Sequence, residues 1–352
     1  MALFSLNNVA IKGIAASVPN EVQSNSDLAL IPEKDRDLLI RTTGIKYRRV
    51  AKFGTCASDL CLAAAEKLMA SLQWEKESIQ ALVFVTQTPD YITPASAIVL
   101  QQRLGLSKSC LAFDINLGCS GYVYGLAMAA SIIAAMPNGR ALLLVGDVSS
   151  ACISHSDKSV VPIFSDAGSA TALQHDSSAT AMTFNLESDG SGYDAIIIPA
   201  GGYRAPVSAE ALQYMELEPG IARNQMHLVL NGIDVFNFSV REAPQNVQAL
   251  LQHLGLKTSD VDSFVFHQAN KLINDTIARK LQLAPHQAPQ SLREFGNTSS
   301  ATIPITIVSQ LAQQLINAPA KLVFCGFGVG LSWGSVYLET KGMEILPLIE
   351  VA

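Results

Sequence analysis

The chain has 352 residues, 49% of them hydrophobic and only 15% charged, with a formal net charge of −6. That length accommodates two domains or one large duplicated one with a well-buried core, and the acidic balance argues against a nucleic-acid surface. No apolar run reaches the roughly 18 residues of a membrane span, the opening Met1–Asn8 run lacks a secretory signal's basic region and cleavage pattern, and six scattered cysteines with no CxxC pair read as reduced thiols in a cytoplasmic, metal-free protein.

Val9–Val18 reads as a first strand stopped by Pro19-Asn20, and the polar stretch Asn25–Thr43 as helical. Ser58 is the expected cap of a helix from Asp59 to about Leu72, where alanines and leucines recur at helical spacing. Ile79–Thr86 is an apolar run of strand length, expected to be a buried parallel strand. A helix is expected from Pro94 to Leu104, a strand over Ala112–Leu117, a small-residue helix over Tyr122–Met136, and strands over Arg140–Val148 and Ala167–Leu173. The second half follows the same grammar. Thr180–Glu187 is a strand, and Tyr193–Leu228 is a Pro/Gly-punctuated excursion expected to lie outside the core. Val235–Leu254 is a helix ended by Gly255, Val261–Phe266 a strand, and Lys271–Leu281 a helix. Ser299 or Ser300 caps a helix running to Ile316, and Lys321–Cys325 and Ser332–Glu339 are closing strands. Alternating strands and helices imply an α/β fold with mainly parallel strands. The order suggests a duplication joined near Leu173–Thr180, giving halves 1–175 and 176–352.

The chemistry gathers around Leu117-Gly118-Cys119-Ser120-Gly121, where an apolar strand runs into a helix. A cysteine at a helix start faces unpaired N–H groups and the positive end of the macrodipole, so its pKa is expected to fall below the usual 8.5 or so. His267 ends a buried strand and Asn297 sits in a loop heading a helix. In α/β sheets ligands gather beyond the carboxyl ends of strands, so the three can meet as nucleophile, proton-transfer group and neutral amide donor. Such a set fits a hydrolase in which water releases the acyl group. It also fits an enzyme that holds an acyl group on Cys119 while His267 and Asn297 donate to the carbonyl of a malonyl thioester. A donor pair there stabilises the enolate left when CO₂ departs.

Six motifs decide between these readings: Arg41-Thr42-Thr43-Gly44-Ile45, Gly118-Cys119-Ser120-Gly121, Phe164-Ser165-Asp166-Ala167-Gly168-Ser169-Ala170, His267-Gln268-Ala269-Asn270, Gly296-Asn297-Thr298-Ser299 and Gly326-Phe327-Gly328-Val329-Gly330-Leu331-Ser332-Trp333-Gly334. Through them nearly the whole chain resembles the β-ketoacyl-acyl-carrier-protein synthase III family of thiolase-like condensing enzymes. The resemblance implies a five-layered αβαβα fold of two duplicated halves with central mixed sheets, and a homodimer. It implies Cys119 as the acylated nucleophile, His267 and Asn297 as the malonyl-binding pair, and the backbone N–H groups of Cys119 and Val329 as oxyanion hole. No cofactor is implied. The substrates are CoA or phosphopantetheine thioesters, the partner an acyl carrier protein, and the reaction loads Cys119 from acyl-CoA or an acyl-carrier protein and condenses that group with malonyl-carrier protein.

The departures concern substrate. Acetyl-CoA-using members hold adenine with a tryptophan and an arginine where this chain has Leu38 and Thr42, Arg41 being displaced by one. Lys158 matches a further basic residue near CoA, and Asn270 belongs to the matched substrate-binding motif. Leucine offers no stacking face and threonine no cationic fork, so weaker or different CoA binding is expected, and a carrier-protein thioester stands beside acyl-CoA as the donor. Short-primer members place phenylalanine where Thr93 stands, which implies room for a longer acyl chain. Leu272 replaces the carrier-docking arginine, leaving Lys271 beside it. The Ser165–Ala170 run replaces a glycine-rich turn, with no functional consequence expected. The alternative activity is transfer of the Cys119-bound acyl group to an alcohol or amine, and a further alternative is a catalytically silent subunit. Retention of His267 and Asn297 favours condensation, and retention of Cys119 argues against a silent role.

Overall fold

The computed structural model describes residues 2–352, so Met1 of the opening run lies outside the described residues. An edge strand unrecognised in the sequence, β1 (Ala2–Leu6), precedes β2 (Val9–Pro19). A two-stranded ribbon, β3 (Val22–Ser24) and β4 (Tyr47–Arg49), flanks α1 (Glu33–Thr43). The expected 25–43 helix is therefore confined to 33–43. The buried Asn25 amide donates to the Ile45 and Pro162 carbonyls at 3.1 and 2.8 Å and accepts from Arg48 Nε at 3.0 Å, which fixes the preceding segment as turns. Gly44 closes α1 at φ 78°, a left-handed conformation natural to glycine. In α2 (Ala57–Ser71) the cap is Cys56, not Ser58. The Asp59 carboxylate accepts the Cys56 N–H at 2.8 Å, and Ser58 donates to Asp90.

There follow β5 (Ala81–Val85), α3 (Ser96–Arg103), β6 (Leu111–Ile115), α4 (Gly121–Ala134), β7 (Arg140–Asp147), β8 (Ala167–His175) and β9 (Met182–Ser188). The excursion carries β10 (Ile196–Ile197), β11 (Met215–Glu218), β12 (Ile221–Arg223) and β13 (Val229–Leu230). The Asn231 side chain caps α5 (Gly232–Leu254), starting it three residues before Val235, and Gly255 ends it at φ 67°. Next come β14 (Ser263–Phe266), α6 (Lys271–Lys280) and α7 (Leu292–Phe295). The expected Ser299–Ile316 helix is helical but broken. A tight turn over Ser299–Ala301 leads into α8 (Thr302–Thr306), a widened π turn over Ile307–Leu311, and α9 (Ala312–Asn317). β15 (Ala320–Gly328), β16 (Ser332–Thr340), β17 (Glu344–Ile345) and β18 (Ile349–Val351) finish the chain.

Two mixed sheets result. One runs β17-β2-β8-β7-β5-β6, with β18 also on β2; the other runs β1-β9-β16-β15-β14. Among the described strands, β5 with β6 and β7, β14 with β15, and the short β17 and β18 on β2 are the pairs that run parallel. The expectation of mainly parallel strands is thus corrected. A strand covered by helices on both faces reads as an unbroken apolar run whatever its direction. Both sheets use one order: first strand, last strand, penultimate strand, second strand. Each also takes an edge strand from the far end of the chain, β1 joining β9 and β17 and β18 joining β2.

The layers are α2 and α3, the first sheet, α4 with α8, the second sheet, then α5 and α6. The largest apolar cluster fills the space between the sheets. Because α4 is covered on both sides it is apolar all round, without a polar stripe. Gly125 lets it approach the sheet closely, since a Cβ there would stand 2.6 Å from Val85 Cγ2 and 2.8 Å from Leu143 Cδ1. The arrangement brings the starts of α4 and α8 to one place between the sheets.

Candidate active site

Cys119 sits in the turn between β6 and α4, His267 just beyond β14, Asn297 just before α8, and Val329 just beyond β15. All four line one cavity of about 340 Å³. Its other walls include Ile163 and Phe164, Asn270 just before α6 and Ile273 within it, and Ile196, Ile197, Ile198, Leu228 and Leu230 from the excursion. Ala195 and Ile196 are buried in the apolar cluster beneath α5, which corrects the expectation that this segment lies wholly outside the core. A segment punctuated by Pro and Gly reads as surface, yet here it folds back as a wall.

Burial pushes the Cys119 thiol up to about 11, overturning the expectation that its helix position lowers it. The backbone N–H groups of Val329 and of Cys119 itself and the Ser299 hydroxyl oppose the rise, but desolvation of the thiolate outweighs them. Gly328 lets its segment close on this thiol: at φ 154° its missing Cβ would lie 2.5 Å from Cys119 Cβ and 2.8 Å from Sγ. The turn is further fixed by a 2.7 Å bond between the Ser120 and Ser332 hydroxyls.

His267 is buried, and burial holds it down at about 3, so its ring is neutral at physiological pH. Nδ1 meets Thr302 Oγ1 at 2.8 Å, and the ring packs edge-on against Phe327 at 5.5 Å. Asn297 Oδ1 accepts the Ser299 N–H at 2.9 Å. That bond holds Ser299 in a left-handed conformation, φ 52°, rare for a residue with a side chain. It also commits the amide oxygen, so the NH₂ group is the face left for donation; it makes a long contact with the Ala269 carbonyl at 3.5 Å. A neutral imidazole, an oriented amide donor and a thiol therefore share one cavity.

Asp147 and Thr302 were not singled out in the sequence, and Ser300 was read only as a possible helix cap. The buried Asp147 carboxylate accepts from Gln87 N at 2.7 Å, Ser300 N at 3.2 Å and Ser300 Oγ at 2.6 Å, and burial raises its pKa. The signal available was the polar run Asn297-Thr298-Ser299-Ser300-Ala301-Thr302 ahead of an apolar helix.

The other expected substrate residues do not join the cavity, apart from Asn270, whose side chain accepts the Ile273 N–H at 2.9 Å as the cap of α6. Leu38, Arg41 and Thr42 stand exposed on α1, and the Thr42 hydroxyl turns back to the Leu38 carbonyl at 2.8 Å. Lys158 Nζ donates to the Pro219 carbonyl at 2.6 Å, mooring the β11–β12 hairpin. Lys271 pairs with Asp275 one turn along α6. Thr93 lies on an exposed loop before α3. Among the described residues no group of three or more His, Cys, Asp or Glu side chains gathers as a metal site, and no helix is long and apolar enough to cross a membrane.

The fold is shared with solved structures. The chain superposes on 3-oxoacyl-(acyl-carrier protein) synthase from Burkholderia xenovorans LB400 with a TM-score of 0.93 and 37% identity, covering 99% of both chains. Against 3-oxoacyl-(acyl carrier protein) synthase III from Pseudomonas aeruginosa PAO1 the TM-score is 0.83 at 30% identity, covering 97% of this chain and 100% of that one. Layers, sheet order and likeness together define a thiolase-like condensing enzyme. Residues 113–190 match the family described as 3-oxoacyl-[acyl-carrier-protein (ACP)] synthase III, and residues 251–340 match its C-terminal counterpart. The β-ketoacyl-[acyl-carrier-protein] synthase III of Chlamydia caviae is 32% identical over 341 residues, 96% of this chain and 99% of that protein. The chain belongs to the β-ketoacyl-acyl-carrier-protein synthase III family and is an acyltransferase of the condensing type.

Proposed function

We propose that Cys119 carries the acyl group and that His267 and Asn297 serve the decarboxylating half of the reaction. The supporting observation is their convergence in one cavity, which Val329 also lines. In the first half, Cys119 Sγ attacks the donor thioester carbonyl, and the Cys119 and Val329 N–H groups hold the oxyanion. The donor thiol leaves with the proton that Cys119 gave up. In the second, a malonyl thioester enters with its carbonyl oxygen facing His267 and Asn297. Loss of CO₂ leaves the electron pair of the broken C–C bond as an enolate held by those donors. The enolate carbon attacks the acyl-cysteine carbonyl, a 3-oxoacyl thioester forms, and the Cys119 sulfur departs and is reprotonated.

The acyl donor is assigned to a carrier-protein thioester in preference to acyl-CoA. Adenine finds no aromatic face at Leu38, and Lys158 and Lys271 are already engaged. Thr93 stands on an exposed loop away from its own cavity, and β6 is the free edge of its sheet with Leu111 exposed. Both fit a homodimer whose acyl pocket is completed across the interface. The common strand order supports reading 1–175 and 176–352 as duplicated halves.

Intact-protein mass after exposure to matched acyl-CoA and acyl-carrier thioesters, followed by malonyl-carrier protein, tests the reading. The expected result is an adduct on Cys119, faster from the carrier, then CO₂ and a 3-oxoacyl-carrier product. An adduct cleared without CO₂ by an alcohol or amine would show the transferase alternative to be correct.

A further inference from the structure

Three polar side chains beside the nucleophile have no partner within the chain. Asn116, Gln87 and Ser149 stand just beyond the carboxyl ends of β6, β5 and β7, neighbouring strands that run in parallel. All three line the Cys119 cavity, at the end of a parallel sheet where ligands gather. Among the described residues, none of these three side chains forms a hydrogen bond. Gln87 and Asn116 are exposed and Ser149 is half-buried, so each is open to a ligand. Gln87 also lies against the nucleophile's own turn, since a Cβ at Gly118 would collide with Gln87 Oε1.

The cavity has two unlike walls. The ends of β5, β6 and β7 supply this polar one, whereas the excursion, α5 and α6 supply Leu228, Leu230, Val235 and Ile273. An acyl-cysteine and a malonyl thioester must occupy the cavity together, one on Sγ and the other at His267 and Asn297. The malonyl arm therefore follows the wall that continues from His267 through Ala269 and Asn270 to Ile273, and the acyl group is left the side of the three strand ends. Charge narrows what it can carry. The Asp147 carboxylate is already engaged by Thr86 Oγ1, Gln87 N and Ser300 Oγ, and among the described residues no lysine or arginine lines the cavity. A carboxylate on the acyl chain would enter beside an acid with no cation to meet it.

We propose that Gln87, Asn116 and Ser149 recognise the acyl group and select one bearing an uncharged oxygen function, a hydroxyl or a ketone, over a plain alkyl chain of the same length. The inference rests on Cys119 carrying the acyl group, the first half of the proposed function. Two amides and a hydroxyl offer both donors and acceptors to such an oxygen. A plain chain strips water from these side chains and gives nothing back, whereas an oxygen on the chain restores a hydrogen bond. Discrimination then comes from the polar groups that the wrong chain leaves unpaired.

Matched donors test this: hexanoyl against 3-hydroxyhexanoyl and 5-hydroxyhexanoyl, offered on one carrier protein and, separately, on CoA. Acylation of Cys119 in the full-length protein is timed by quenched intact mass with no malonyl substrate present, and each ratio is read within one donor type. A hydroxylated chain is expected to acylate about tenfold faster than the plain one at one of the two positions, roughly what one neutral hydrogen bond supplies. Asn116→Leu and Ser149→Ala are each expected to bring that ratio toward one. Loss of folded protein slows all donors alike and cancels in the ratio. A plain chain that acylates as fast as both hydroxylated ones, or ratios that neither variant moves, would overturn the proposal. Absence of a Cys119 adduct from every donor would instead overturn the acyl-carrying reading on which it rests.

Discussion

The Asp147 carboxylate takes both the N–H and the O–H of Ser300, at 3.2 and 2.6 Å. The end of β7 in the first sheet is thereby tied to the turn that carries Asn297 into α8. The nucleophile's sheet and the decarboxylating loop are thus registered against each other by one buried acid, and the site depends on both.

Cys119 reactivity should climb with pH far beyond the range of an ordinary thiol. With the thiol near 11, the thiolate fraction rises about tenfold per pH unit through neutrality. Alkylation by iodoacetamide, located by peptide mass, is expected to rise log-linearly from pH 6 to 9. A plateau below pH 8 would mean that the helix start dominates after all.

Asn297→Ala should separate the two halves of the reaction. Acylation of Cys119 is expected to stay within about threefold of wild type, while CO₂ release from malonyl-carrier protein falls by roughly 10²–10³, the cost of removing one donor from such a site. Quenched mass and CO₂ release read the two steps separately.

Gly328→Ala should leave a folded protein that acylates poorly. The added methyl enters the space of Cys119 Cβ and Sγ in a conformation that side chains seldom adopt. Acylation is expected to drop at least about tenfold, a loss common when reacting groups are displaced by part of an ångström. Circular dichroism and intact mass distinguish misfolding from displacement.

Acid should weaken the fold through His267. The ring is held near 3 in the folded chain against 6.5 when unfolded. Between those values the unfolded state binds the extra proton, so stability falls as pH falls from 6.5 toward 3, by up to about 1.4 kcal/mol per unit. Urea midpoints should show this slope, and His267→Gln should reduce it.

Arg223→Met should loosen the β11–β12 hairpin. Arg223 pairs at 2.6 Å with Asp157, which is fully buried. Removing the guanidinium strands that carboxylate at a cost of about 3–5 kcal/mol. Urea unfolding should report the loss, and protease cleavage within 211–223 should accelerate.

His267 and Asn297 were legible in the sequence because each combines a reactive residue type with a place at a strand end or helix start. The strands were legible as apolar runs, but not their directions, since burial on both faces erases the alternation that marks an exposed antiparallel sheet. The Cys119 pKa was misread for a related reason. A helix start is visible in a sequence, whereas the burial that outweighs it arises only when the chain folds and segments such as that of Gly328, about two hundred residues away, close against the sulfur. Thr302 was invisible: a threonine entering a helix carries no mark of the ring it will meet. Lys158 matched a motif position, yet its bond to Pro219 depends on a hairpin whose sequence reads as surface.

The exchange of edge strands also governs how the molecule can be assembled. Glu344 pairs with Gly13 and Ala2 with Leu186, so each sheet borrows its border from the opposite end of the polypeptide. During synthesis the outer face of β2 stays unpaired until nearly the whole sequence has emerged, leaving a row of free N–H and C=O groups open to wrong partners. Neither half can be cut out as a unit without exposing such a border. Truncation of a few residues at either end is therefore a change to both sheets.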